Sequence, residues 1–437
     1  MSRCLTRAVI VAGALLLLAL PAAAGAADAA GNRWLSDRFL NFAHQGGEDE
    51  LPSNTMYALK QAMRTTGANA LELDVGYTKD DHLVVLHDNK VDRTTNGTGS
   101  VNDLTLAEVQ RLDAAYWFVP GRNAAHGLDP SAYPLRGIRT GDKPAPKGYT
   151  ADDFRIPTLA EVLDAFPDTP VNIEIKGRDG SDDSVFFHGA DLLAAQLNAH
   201  PRSDVIVASF NQRAIDRFHA AAPRIGVAPG IDGMASFLLS NGSPGAGTVA
   251  FQIPITFTLG ATTIDVTTPD TVTRAHDSGY AVHVWLSDDA EDRATYNRLL
   301  DMCVDGIMAA RPTLLTQVLD ERRVVRPRPD GRGYTGWDPC GTKVAARTAK
   351  VRGSTVMLAL ERQGLSQEAR SGTVTLRTGK RVVGTGRFAL AEGAERTTAR
   401  VRLTRFARIQ LAHHPRLKVT ADVTERVPAS RTTVTLR

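Results

Sequence analysis

The sequence predicts an α/β protein: a TIM-type (β/α)8 barrel with a small insertion, followed by a small, sandwich-like all-β domain. Three observations lead there. The chain has 437 residues, 43% of them hydrophobic and 23% charged, a globular composition long enough for two folded units. Residues 38 to 320 alternate β-like runs with helical stretches, and about eight or nine strands in that span fit a closed barrel better than an open sheet. Beyond Lys343 the pattern becomes short alternating runs (STVMLALE, SGTVTLRT, RLKVTADV, RTTVTLR) at regular spacing, as in an all-β domain.

The elements follow in order. Two arginines, the apolar run AVIVAGALLLLAL and a stretch of small Ala-x-Ala residues mark residues 1–26 as a cleaved secretory signal peptide, which makes the protein secreted or extracytoplasmic. That run falls short of the ~20 residues a membrane span needs. The barrel is expected over residues 36–321, starting with FLNFA and a helix from Thr55 to Thr65. ALELDV and HLVVLH are separated only by a turn at Lys79-Asp80-Asp81, too short for a parallel crossover, so they form an antiparallel hairpin. Folding about that turn is expected to set His87 opposite Asp74, with Glu72 and Asp74 on one face. Residues 113–153, rich in Gly, Pro, Tyr and Asp, form the insertion. A helix from Leu159 to Ala165, the strand VNIEIK, a helix from Ala190 to Ala199 and the strands VIVAS, IGVA, VAFQI and YAVHVW come next. A helix from Asp289 to Met302 and the strand DGIM complete the barrel, residues 322–339 are a Pro/Gly/Arg linker, and 340–437 are the all-β domain.

Charge is unevenly spread. The net charge of +3 combines 20 Lys/Arg against 6 Asp/Glu from Cys340 onward with 31 against 42 before it. A basic module on an acidic body suits an anionic cell-wall or membrane surface, though it is equally a stabilising appendage. Nucleic acid is not an expected partner, because the module has few aromatics for base stacking. Apart from Cys4, the cysteines are Cys303 and Cys340; they form one disulfide in an oxidising compartment, or stay unpaired with Cys303 simply buried.

Chemistry gathers at the strand ends, where barrels of this type carry their active sites. His44 ends the first strand, Glu72 and Asp74 the second, and His87 the returning hairpin strand. Glu174 and Lys176 share a face of VNIEIK, and Trp285 ends YAVHVW. Taken singly, each has an ordinary structural explanation; their convergence at one mouth is what points to a site. Three buried carboxylates need a cation, and an all-oxygen set suits Mg²⁺ or Ca²⁺ rather than Zn²⁺.

The segments AHQGG, LPSNT, GANALELDVGYTKDDHLVVLHDNKVDRTTNGTGSV, IPTLAEVL, VNIEIK, VHVW and VDGIMAARP resemble, in order, the glycerophosphodiester phosphodiesterase family, within the phosphatidylinositol-phospholipase-C-like superfamily. The resemblance implies a hydrolase that releases glycerol 3-phosphate and an alcohol. It implies Glu72, Asp74 and Glu174 as metal ligands and His44 and His87 as the acid/base pair. Lys176, Gln45 and Trp285 are implied to face the substrate, a small-molecule or lipid phosphodiester, and Gly46-Gly47 fit close backbone approach to its phosphate. Lysophospholipids and teichoic-acid-type glycerol-phosphate polymers are substrates of the same chemical class. A barrel that binds a phosphate ligand without catalysis is the reading from another class. The chain departs from the family pattern at Gln45, where arginine is usual, and at Ser53, where glutamate is usual. Their joint loss reads as a removed ion pair. Leu286-Ser287-Asp288 also replaces the usual Thr-Val-Asn.

Overall fold

The computed structural model describes residues 32–35, 39–177, 183–259, 262–286, 291–327, 334–425 and 427–437. The signal-peptide expectation, part of the linker and Ser287-Asp288 lie outside the described residues. Among the described residues, no helix is long and apolar enough to cross a membrane.

The first part of the barrel runs β1 (Leu40–Ala43), α1 (Met56–Gln61), β2 (Ala70–Tyr77) and β3 (Leu83–Val85). A short α2 (Leu106–Val109) precedes α3 (Leu159–Ala165) and β4 (Val171–Ile175). Next come α4 (Ser184–Ala199), β5 (Val205–Ala208), α5 (Gln212–Ala221), β6 (Gly226–Val227), α6 (Ile231–Ser240) and β7 (Ala250–Pro254). A hairpin of β8 (Thr256–Leu259) and β9 (Thr262–Asp265), which the sequence reading did not include, leaves the end of β7. The barrel ends with α7 (Pro269–Asp277), β10 (Ala281–Trp285), α8 (Arg293–Asp301), β11 (Gly306–Ala309) and α9 (Pro312–Glu321).

Eight parallel strands stand in the order β6-β5-β4-β2-β1-β11-β10-β7, with β3 antiparallel on β2. A parallel bridge from Val227 to Thr248 brings the two ends of that path together. Side-chain alternation divides the strands between two environments. Leu40, Phe42, Ala70, Ile206, Ala281 and Met308 pack inside the barrel with Trp34, while Leu71, Leu73, Ile173, Val207 and Val282 face the helices. Helix starts are fixed by side-chain caps: Thr55, Thr158, Asn211, Thr268 and Asp292 each accept from a backbone N–H three residues on, worth ~1 kcal/mol apiece.

The hairpin corrects one expectation. Tyr77 pairs with Leu83 and Val75 with Val85, and Leu86 N donates to Asp74 O at 3.0 Å. Leu86, not His87, is therefore the neighbour of Asp74, and His87 lies one residue further along. The reason is the turn's centre: pairing is symmetric about Asp80, with Thr78 N closing onto His82 O at 3.0 Å, and this symmetry sets Asp74 opposite Leu86.

A two-stranded ribbon, β12 (Arg326–Pro327) with β13 (Tyr334–Thr335), leads into the second unit. There β14 (Thr342–Val344), β15 (Thr348–Ala349), β16 (Val351–Arg352), β17 (Thr355–Arg362), β18 (Arg370–Thr378) and β19 (Arg381–Leu390) come first. β20 (Arg396–Leu403), α10 (Arg405–His413), β21 (Leu417–Thr424) and β22 (Pro428–Leu436) complete it. The sheet runs β14-β17-β20-β19-β18-β21-β22-β15. Its end strands β14 and β15 are consecutive in the chain, so the sheet curls around its own core of Val356, Leu358, Leu376, Val401 and Val434.

This domain docks under the barrel, at the N-terminal ends of the strands. A Cys303–Cys340 disulfide joins the two units just before β11. Leu365 N donates to Asp301 O at 2.7 Å, and Gln367 N to Thr273 Oγ1 at 3.0 Å. At the end of α7, His276 lies between Glu368 (2.5 Å from Nδ1) and Asp305 (2.8 Å from Nε2). Burial opposes a charge on His276, yet Asp305 and Glu368 outweigh it and push the imidazole up to about 10. Burial likewise works to raise Glu368, but its bond to His276 and the nearby Arg370 hold it down at about 2.

The junction should therefore be pH-dependent. A raised histidine stabilises fully below its ordinary value near 6.5 and loses that contribution as pH rises towards 10; a lowered glutamate loses its share only as pH falls from about 4.5 towards 2. Between pH 6 and pH 10 the wild type should lose at least about 3 °C more in Tm than His276→Gln, read by calorimetry. Equal losses would remove this role from His276.

Candidate active site

The end of β1 shapes the first part of the site. After extended Ala43, a single 3₁₀ turn over His44–Gly46 holds Gln45, Gly46 and Gly47 at φ 49°, 87° and 89°. A Cβ on Gly46 would stand 2.9 Å from Ala58 Cβ, and one on Gly47 2.9 Å from Pro312 Cγ. Backbone conformation and packing against α1 and α9 thus require the glycine pair at this turn. The turn aims Gln45 N at Glu72 Oε2, at 2.9 Å. The acidic residues that follow are each engaged: Glu48 binds His44 Nδ1, Asp49 pairs with Arg311 at 2.8 Å, and Glu50 accepts from Thr313 Oγ1 at 2.6 Å. His44 Nε2 is left 3.7 Å from Glu72.

Alternation on β2 turns Glu72 and Asp74 into the barrel, and register sets Asp74 beside Glu174 of β4. One oxygen from each of Glu72, Asp74 and Glu174 lies within 4.8 Å of the other two. Lys176 Nζ reaches Glu174 at 2.9 Å and Asp74 at 3.1 Å, and Asn54 Nδ2 donates to Asp74 at 3.0 Å. Burial, then the charge of Asp74, pushes Glu72 up to about 8; burial also raises Glu174 against the pull of Lys176. Asp74 is the exception: burial works to raise it, but Lys176 and both histidines keep it low. Three carboxylates this close and this buried are short of positive charge. Their oxygen-only donor set fits a hard divalent cation.

His87 is held the same way as His44. Its Nδ1 lies 2.7 Å from Asp88, which also accepts from Arg93 Nε at 2.7 Å, and Arg93 reaches Asn123 of the insertion at 3.4 Å. Each imidazole therefore has one nitrogen fixed by a neighbouring carboxylate, which sets the ring and leaves the other nitrogen to work. Trp285 at the end of β10 meets Phe210 edge-on at 5.7 Å, and the Phe210 ring is 5.9 Å from Lys176 Nζ. Below Trp285, fully buried His283 packs on Phe42, and burial pushes it down to about 4, so it stays neutral. The two departures from the family pattern meet: Ser53 Oγ donates to Gln45 Oε1 at 2.6 Å, and both are buried. Gln45 thereby spends its side-chain oxygen on Ser53.

All eight residues singled out from the sequence lie at or beside this mouth. Sequence reading missed Glu48, Asn54, Asp88, Arg93 and Phe210. Two of them carried a signal: Glu48 is four residues from His44, and Asp88 adjoins His87.

Residues 44–314 match the model of the glycerophosphoryl diester phosphodiesterase family. The chain belongs to that family. A glycerophosphodiester phosphodiesterase of Bacillus subtilis is 29% identical over 326 residues, covering 72% of this chain and 98% of its own. One of Caldanaerobacter subterraneus is 38% identical over 190 residues, 43% of this chain and 64% of its own length, so the match spans just under two-thirds of that relative. Solved structures are also similar. One is the glycerophosphodiester phosphodiesterase of Agrobacterium tumefaciens (TM-score 0.45, 22% identity, 63% of this chain and 98% of that one). Another is an Oleispira antarctica phosphodiesterase in complex with sn-glycerol-3-phosphate (TM-score 0.46, 21% identity, 64% and 96%). The family is one of phosphoric diester hydrolases.

Two outcomes are expected here. Gln45→Arg alone should not raise kcat/KM on a glycerophosphodiester, because the new guanidinium meets Ser53 instead of a carboxylate; Gln45→Arg with Ser53→Glu should restore the pair. A large gain from the single change would remove the coupling. Asp88→Asn should lower kcat by about 10- to 100-fold with little change in KM, since it frees the His87 ring without touching the cluster.

Proposed function

We propose that this protein is an extracytoplasmic, metal-dependent glycerophosphodiester phosphodiesterase that releases glycerol 3-phosphate and an alcohol. The observation that carries the reading is the meeting of three inward carboxylates and two carboxylate-held histidines at one barrel mouth. A divalent cation, Mg²⁺ or Ca²⁺, held by Glu72, Asp74 and Glu174 would offset the charge by which a phosphodiester repels nucleophiles. Lys176, already beside two of those carboxylates, adds a second positive charge on the phosphate side. Burial opposes a charge on His44, but Glu48 on Nδ1 and nearby Glu72 outweigh it and favour the charged form, so it serves as proton donor to the leaving alcohol. His87, with Nδ1 on Asp88, takes the proton from the attacking hydroxyl through Nε2. In a glycerol diester the attacking hydroxyl is the substrate's own neighbouring one, which gives a cyclic phosphate that water then opens. The Trp285–Phe210 pair forms an aromatic wall that shields one side of the cleft.

Export rests on the composition of residues 1–26, and a disulfide between the two units suits an oxidising compartment. Lysophospholipids and glycerol-phosphate polymers share the scissile bond, so a substrate panel separates them.

Release of glycerol 3-phosphate from deacylated diesters, lysophospholipids and glycerol-phosphate polymer should be fastest on the deacylated diesters. EDTA should abolish it, and Mg²⁺ or Ca²⁺ should restore it. His44→Ala and His87→Ala should each lower kcat by about 10²- to 10⁴-fold. Binding of glycerol 3-phosphate without turnover of any diester would favour the non-catalytic barrel instead.

A further inference from the structure

The charge surplus of the C-terminal domain is not spread evenly; it is sorted along the length of the domain. Five of its six acidic residues, Glu361, Glu368, Glu392, Glu395 and Glu425, stand at the strand ends and loops nearest the barrel. The sixth, Asp422, lies within β21 and is paired with Arg377 and Arg431. The opposite end is formed by the turns from β16 to β17 and β18 to β19, together with α10, and it has no acidic residue. It carries exposed Arg352, Arg381, Arg402, Arg405, Arg408 and Arg416. Like charges crowded this way repel one another in the free protein, and selection for stability alone would not gather them.

Two apolar side chains are exposed within that basic end: Val382 at the start of β19 (38%) and Ile409 on α10 (44%). Beside them Arg381 lies over the Phe406 ring at 4.2 Å, which keeps α10 against β19. A hydrated anionic polymer would satisfy the arginines and leave Val382 and Ile409 in water. The headgroup boundary of a bilayer takes both, with the cations on phosphate and the apolar tips just beneath.

We propose that this distal pole docks the protein on an anionic phospholipid surface and holds the barrel with its mouth turned away from that surface. The orientation follows from the junction. The disulfide, the Leu365–Asp301 and Gln367–Thr273 hydrogen bonds and the His276 bridge all engage the N-terminal face of the barrel. His44, the carboxylate cluster and Phe210 stand at the C-terminal face. A protein held this way meets diesters dissolved in the surrounding fluid and not the lipids it rests on. Docking does not depend on the phosphodiesterase reading.

The test uses the full chain throughout, so that any contribution of residues 1–31 is common to all variants, and Cys4→Ser is added wherever a fluorophore is attached so that only the introduced thiol is labelled. Sedimentation is measured with vesicles of phosphatidylcholine alone and of phosphatidylcholine with about one-third phosphatidylglycerol. Binding should need the anionic lipid, weaken steeply with salt, and fall more than tenfold in the triple variant Arg405→Glu, Arg408→Glu, Arg416→Glu. Ile409→Asp should weaken it as well. Orientation is read with a fluorophore attached through Ile409→Cys or through Ile231→Cys, which lies at the mouth. A lipid-borne quencher should dim the first and spare the second. Equal binding by the triple variant, binding to soluble polyphosphate with none to vesicles, or stronger quenching at residue 231 would each overturn the proposal. Neither readout involves turnover, so failure here is distinct from failure of the phosphodiesterase reading.

Discussion

Three carboxylates share one small space inside the barrel, and the rest of the site is arranged around that fact. Glu72, Asp74 and Glu174 are placed there by strand alternation and the β2–β4 register, with no freedom to separate. Burial makes their combined charge unfavourable, and the protein answers with Lys176, Asn54, the Gln45 amide and the His44 ring. Those groups do not complete the neutralisation, since Glu72 and Glu174 remain pushed up. A cation would complete it, and under the proposed function the same charge would serve a phosphodiester.

The loop after β1 is shaped to meet this cluster. The β1 end adopts three successive positive φ values to aim an amide at Glu72, and it does so while packed on α1 and α9. The acidic run after it, Glu48 to Glu50, fastens that loop to the imidazole and to the start of α9. On the other side, the Asp88–Arg93–Asn123 chain ties His87 to the insertion. The mouth is thus built from loops held by charge, while the opposite face is sealed by a disulfide and the His276 bridge. Chemistry and attachment occupy opposite ends of one barrel.

Much of this was legible in the sequence, for physical reasons. Strand periodicity, the ordered motifs and the strand-end placement of polar residues gave the barrel, the change to an all-β unit and the eight residues around the mouth. The register of the hairpin was legible from the turn Lys79-Asp80-Asp81, since pairing symmetric about Asp80 sets Asp74 opposite Leu86; the expectation of His87 overshot it by one residue. The tight packing around Gly46 and Gly47 was hidden, since Ala58 and Pro312, the residues that exclude a Cβ, come from other elements. The contact between Gln45 and Ser53 was foreshadowed only as a paired departure; the structure supplied the hydrogen bond. The separation of acidic and basic ends in the C-terminal domain is invisible to a net charge, because antiparallel pairing brings residues far apart in the chain to the same end.

The most direct measurement is calorimetric titration of Mg²⁺ and of Ca²⁺ into metal-free protein, with no substrate present, for the wild type and for Asp74→Asn. One saturable site per chain is expected for at least one of the two ions in the wild type, with affinity lost in the variant. Absence of binding by both ions, or equal binding by the Asp74→Asn protein, would contradict a cation site at Glu72, Asp74 and Glu174.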